Sequence, residues 1–230
     1  MPEVAGYEQG IPGSRSATDP DRLLPRGRHD LPREFIARTQ RDRLIDAMAR
    51  TVAAKGYAGA SLGEVCAVAG VSTRAFYQHF ADKQACFLAA FDLGVTLVQG
   101  AVAGAYGCSA PWPEQMRRGL DTLLRILAAE PAFATLAVVE VLAAGPVARV
   151  RHRLLLDAYT VFFADAPRDP ALPEVPAGVI RAVIAGANDF VSTGRAAELP
   201  DQLADLTYLV VVPFLGPAAA TRAAAGLVEE

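Results

Sequence analysis

The chain has 230 residues, 52% of them apolar and 20% charged, with a net charge of −3 and a pI near 5.7. That is length for one large domain or two small ones with a sizeable core, and a composition that excludes a disordered or fibrous protein. Three cysteines, Cys66, Cys86 and Cys108, with no C-x-x-C spacing, exclude a disulfide framework and a cysteine-rich zinc site, and fit a reducing cytoplasm.

The mild acidity is an average of two unlike segments. Residues 22 to 83 carry eleven Lys and Arg against six Asp and Glu, net +5, and the remainder carries eleven against nineteen, net −8. A basic segment ahead of an acidic one suits a module that meets a polyanion. Apolar residues recur at spacings of three and four almost throughout, and no alternating run stands out, so the expected fold is all-α.

Residues 1–31 contain four Pro and four Gly without apolar periodicity and read as a mobile tail lacking the features of a signal peptide. The first helix is predicted from Arg33 to Lys55, with Pro32 ahead of its first turn, an apolar stripe of Leu44, Ile45, Met48 and Val52, and Gly56 as a left-handed cap. Ser61-Leu62-Gly63-Glu64 has the form of a capping box and starts a second, short helix. Ala69-Gly70-Val71 breaks that helix, and Ser72 caps a third from Thr73 to Phe80. Two short helices about a Gly-containing turn make a helix-turn-helix.

Such a motif reads DNA with small or polar side chains at the start of its second helix and docks through apolar ones behind them. Ser72, Thr73 and Arg74 supply the first set, Val71 and Phe76 the second. Arg74 suits a bidentate bond to a guanine edge. Ser61, with the amides opening the second helix, suits a phosphate. Asp82 caps a fourth helix whose first residue, Lys83, adds a cation.

From Arg43 to Leu88 the chain resembles the N-terminal domain of TetR (tetracycline-repressor) family regulators. The resemblance rests on Leu44-Ile45, Gly56-Tyr57, Ser61, Ala69-Gly70-Val71-Ser72, Phe76-Tyr77-Gln78-His79-Phe80 and Asp82-Lys83. Cys66 departs from the family's usual Ala, and a small thiol tolerates the same burial. The resemblance implies base reading by Thr73 and Arg74, with Ser72 and Gln78 in support. It implies phosphate contacts from Ser61, Tyr77, His79 and Lys83, with Phe76 and Phe80 in the core. Arg26 and Arg28 either enter an adjacent minor groove or stay solvated.

Further helices are predicted at 83–106, 113–129, 131–144, 146–164, 176–194 and 200–215, most of them opened by Pro, with a short one after Pro217. The run Leu93 to Pro113 is free of charge, yet its four Gly and two Pro make it a poor membrane span. No membrane partner is expected. The domains are read as 1–31 tail, 32–82 helix-turn-helix domain and 83–230 ligand-binding and dimerisation bundle. The resemblance implies a homodimer paired through the last two long helices, Pro176 to Gly194 and Pro200 to Leu227, and a small-molecule pocket among the middle helices. Phe133, Leu136, Val139, Glu140, Tyr159, Phe162 and Phe163 are candidates for its lining. Glu140, the only charge between Pro131 and Arg149, either meets a ligand, faces water, or pairs with Arg151 or His152. Asn188, beside Asp189 in an apolar run, faces either the ligand or the dimer partner. Trp112, between two prolines, is expected to cover the end of the bundle.

No G-x-S-x-G, G-x-x-x-x-G-K-[ST] or H-E-x-x-H motif occurs, so neither an enzyme nor a cofactor or metal is expected. The reading is a cytoplasmic, ligand-responsive repressor that binds a palindromic operator as a homodimer and is released by a small, largely apolar effector. The alternative is a DNA-binding regulator or adaptor without an effector.

Overall fold

A computed structural model describes residues 32–107, 109–193 and 195–227. Arg26, Arg28 and Cys108, named above, lie outside them. The described residues form helices without a strand: α1 Arg33–Gly59, α2 Leu62–Ala69, α3 Thr73–His79, α4 Lys83–Tyr106, α5 Trp112–Ala129, α6 Pro131–Ala134, α7 Pro146–Ala158, α8 Ala177–Thr193 and α9 Leu203–Ala224. Beyond α6 the chain continues as a π-helical turn, Thr135–Val139, and a 3-10 turn, Glu140–Leu142. Further 3-10 turns follow α7 and precede α9, at Tyr159–Phe163 and Ala196–Gln202.

The helix ends fall where the capping residues place them. Ser61 Oγ accepts from the Glu64 amide while the Glu64 carboxylate accepts from the Ser61 amide, closing the capping box of α2. Ser72 Oγ accepts from Ala75 N–H at 3.2 Å, and Asp82 Oδ1 from Ala85 N–H at 2.7 Å. Gly70 ends α2 at φ 61°, ψ 35°, a left-handed conformation that a residue with a Cβ adopts at a cost. A Cβ there would also lie 2.5 Å from Arg43 Nη2, so the end of that side chain would have to shift.

The chain divides into two compact units. The first comprises the described residues up to Leu97 together with Glu130–Ala148, and the second comprises Val98–Ala129 with Arg149 onward. This is not a break at residue 82, because α4 contributes its first turns to the first unit and Glu130–Ala148 packs against α1. The core of the first unit is Leu44, Met48, Val52, Val65, Phe76, Phe87, Phe91, Phe133 and Leu136. Gly94 of α4 is what admits Phe133, since a Cβ at Gly94 would lie 2.1 Å from its ring.

In the second unit α5 packs against α9 and α8 against α9. Trp112 is buried, meets Phe163 edge-on and Phe214 at a tilt, and donates from Nε1 to Phe162 O at 2.9 Å. Lys83–Tyr106 and Ala196–Ala224 are long and apolar enough to cross a membrane by length and composition alone. In α9, Leu206, Val210, Val211 and Phe214 are buried inside the unit. Pro213 and Pro217 lie within α9, which bends at Gly216 rather than ending before a separate short helix.

Candidate nucleic-acid interface

Helix α3 is short and two-faced. Phe76 is fully buried and Val71 and Phe80 nearly so, docking it on the first unit's core. Ser72, Thr73, Arg74, Tyr77 and Gln78 are exposed. Positions 73, 74, 77 and 78 are linked by spacings of three and four, so they form one outward face. Tyr77, 59% exposed, is a large aromatic with no core role. The Thr73 hydroxyl bonds the Cys66 thiol, which ties this face to α2. Cys66 is buried and its thiol is pushed above its ordinary pKa by desolvation, so it is a packing residue.

The four residues expected on phosphates divide differently. Tyr77 is exposed as required. Ser61 Oγ donates to Glu64 Oε2 at 2.8 Å, and Glu64 also pairs with Lys55. The bond from Lys55, aided by the Ser61 amide and hydroxyl, holds the Glu64 carboxyl near pKa 2, so a carboxylate already occupies the start of α2 where a phosphate was expected. His79 Nε2 meets Gln40 Oε1 at 3.2 Å, and burial, with Arg41 nearby, lowers its pKa, leaving a neutral ring that ties α3 to α1. Lys83 Nζ donates to Tyr57 O at 2.8 Å and Ala60 O at 2.9 Å and sits 4.3 Å from the Tyr57 ring centroid. Two of an ammonium's three hydrogens therefore hold backbone carbonyls.

Sequence reasoning missed Arg41. It is exposed on α1, its guanidinium 5.2 Å over the Phe80 ring, which puts a cation beside the end of α3. The run of arginines at 33, 38, 41 and 43 was the available signal; which of them meets α3 was not readable from it.

The candidate ligand residues fall into the two units. Phe133, Leu136, Val139 and Glu140 belong to the first, where Phe133 and Leu136 are core and Val139 is exposed. Glu140 Oε2 accepts from Tyr57 N–H at 2.6 Å. A backbone amide satisfies the part-buried carboxylate that the sequence offered to a ligand. Tyr159, Phe162, Phe163 and Asn188 belong to the second unit. Phe163 is core, and Tyr159 stacks on Phe162, its hydroxyl pushed up to about 12 by burial. His152, unremarked as a site by sequence reasoning, is buried with Nε2 lacking a hydrogen-bond partner, and burial lowers its pKa against the opposing effect of Asn188. A cleft of about 210 Å³ lined by Arg168, Asp169, Leu172, Glu174 and Phe214 includes none of the candidates.

Residues 44–90 match the model of bacterial regulatory proteins of the tetR family. That stretch, helices α2 and α3 with the end of α1 and the start of α4, is a tetR-type DNA-binding domain. No curated protein matches the chain in sequence. Among solved structures it is similar to the fatty acid degradation regulator FadR of Bacillus halodurans, with 15% identity over 75% of this chain and 94% of that one, TM-score 0.66. It is similar to FadR of Bacillus subtilis, solved in complex with stearoyl-CoA, at 16% identity over 75% and 98%, TM-score 0.63. An ArpA-like gamma-butyrolactone receptor matches at 20% identity over 84% and 98%, TM-score 0.60. At these identities the neighbours establish the fold, an N-terminal helix-turn-helix domain followed by a helical domain. The matched domain is that of DNA-binding regulators, and the solved structures named here are themselves described as regulators or receptors.

Proposed function

We propose that this protein is a cytoplasmic, ligand-responsive repressor of the tetR family that binds a palindromic operator as a homodimer. The observation that carries the reading is the exposed face of α3. Thr73 and Arg74 read base edges with Ser72 and Gln78 in support, and Tyr77 holds the backbone. Ser61, His79 and Lys83 stay in the proposal as residues that set the reading face from behind, and Arg41 joins Tyr77 on the phosphates. One short helix reads a half-site, so a second copy is needed about 34–36 Å away, one turn of the duplex. Pairing through α8 and α9 is supported by the outward side of α8, where exposed Gly178, Ala182, Ala185 and Gly186 permit close helix approach.

The effector site is proposed in the second unit, among Tyr159, Phe162, Phe163, Asn188 and His152. His152 and Tyr159 stand seven residues apart on one face, and Asn188 of α8 meets the imidazole. A buried histidine with an unpaired nitrogen suits a mostly apolar molecule carrying one hydrogen-bonding group. The stearoyl-CoA held by one structural neighbour brings a long apolar chain on a highly charged CoA head, and the gamma-butyrolactone for which another is named offers a lactone carbonyl as acceptor. Ligand entry shifts α4, which runs from one unit into the other, and the operator is released only in proportion to the ligand's differential affinity for the two states.

The test is selection of a duplex from random sequence, followed by titration with acyl-CoAs and lactones at fixed salt. A palindromic site bound by the dimer and released by one of these supports the reading. Failure of every such compound to change affinity removes the effector and leaves a regulator without one.

A further inference from the structure

We propose that Glu140 is a positioning residue for DNA recognition, acting with Lys83 as a clamp on the single turn that joins α1 to α2. Gly56, at φ 72° and ψ 161°, interrupts α1, and a new turn starts with Ala60 N–H bonded to Gly56 O. The Tyr57 amide opens this turn and lacks the partner that a continuing helix supplies. Glu140 Oε2 takes it at 2.6 Å, 83 residues away in sequence. At the other end of the turn, Lys83 Nζ takes the carbonyls of Tyr57 and Ala60. An anion thus caps the start of the turn and a cation its end, the arrangement that the peptide dipoles favour.

The segment bearing Glu140 is itself held. Gln84 Nε2, one residue beyond Lys83, donates to Ala144 O at 2.7 Å, and Phe133 fills the space that Gly94 leaves. The π-helical turn at Thr135–Val139 immediately precedes Glu140, and such turns change the direction in which the following side chain leaves a helix. Ser61, which caps α2, follows Ala60 directly, so the clamped turn sets where α2 begins. Helices α2 and α3 also hold their own core contacts through Val65, Ala69 and Phe76. Breaking the clamp therefore leaves the unit folded but frees the entry to the reading helices, and DNA must then order it on binding.

The experiment compares E140M, which fills the same space without an acceptor, with E140Q, which keeps one. Each is measured on a duplex selected by the unaltered protein and on a scrambled duplex of equal length. E140M is expected to bind the selected duplex at least tenfold more weakly and the scrambled one within twofold, since phosphate contacts survive. E140Q is expected to stay within about threefold on both. Equal weakening of both duplexes by E140M, or selected-site binding within twofold of the unaltered protein, overturns the proposal. Should E140M not fold, amide exchange in the unaltered protein decides it: a Tyr57 amide protected beyond the fraying residues around it supports the clamp, and one exchanging as an open amide refutes it. Failure of the unaltered protein to select any duplex would count against the family's DNA-binding role and leaves the amide-exchange result to stand by itself.

Discussion

Arg74 and Lys83 are both cations near the reading helix, and the structure gives them different duties. Arg74 is exposed on the outer face of α3, so R74A is expected to flatten sequence preference by about 1–3 kcal/mol, measured as the ratio of selected to scrambled binding. Lys83 holds two carbonyls, so K83A is expected to lower stability by about 2 kcal/mol in chemical denaturation, besides any loss on DNA. Glu130 provides a pH effect within the first unit. Burial, and then Asp46, raise its carboxyl to about 7 against the pull of Arg50, and its Oε2 has no hydrogen-bond partner. A raised folded-state pKa favours the neutral form, so this contribution is full below about pH 4.5 and is lost as pH rises through about 7. Thermal melts of the unaltered protein and E130Q between pH 5 and pH 8 are expected to differ by about 1 kcal/mol in their pH dependence, after discounting for partial exposure, with E130Q the flatter. The outward residues of α3 were legible in the sequence because spacing alone places them. The capping partner of Ser61 was legible too, but the partners of His79, Lys83 and Glu140 were not, since each is chosen by a fold that brings distant groups within 3.2 Å.

At the scale of the element, caps and prolines placed most helix boundaries within a few residues, because an orphaned terminal amide must be satisfied locally. The stretch 131–144 reads as one helix by its periodicity, and the structure divides it into an α turn, a π turn and a 3-10 turn that carry Glu140 to Tyr57. Pro200 likewise lies in a 3-10 turn instead of opening α9. Tight helix packing at Gly94 is a second feature with no local signature. G94A is expected to destabilise the protein by about 1–3 kcal/mol, because the new methyl must displace the Phe133 ring from a filled core. Thermal denaturation should show this as a midpoint lowered by about 3–10 °C, partly restored by F133L in the same chain. An unchanged midpoint for G94A would mean that Phe133 is not held against α4.

At the scale of the whole molecule, the charge imbalance and the helix-turn-helix pattern point to a nucleic-acid reader followed by a helical remainder. A dimer is expected in sedimentation at micromolar protein, protecting two half-sites one helical turn apart on the selected duplex. A monomer giving a single protected half-site would remove α8 and α9 as the pairing surface. The sequence by itself determined the all-helical class, the three-helix reader and its outward face. These follow from periodicity, capping chemistry and a short motif, all of which act over a few residues. Only the tertiary structure decided that Glu130–Ala148 belongs with the reader, that Glu140 serves a backbone amide of α1, and that the proposed effector residues separate into two units. Those outcomes depend on which buried polar group lies nearest to another once the core has closed, and a core closes through contacts between residues far apart in the chain.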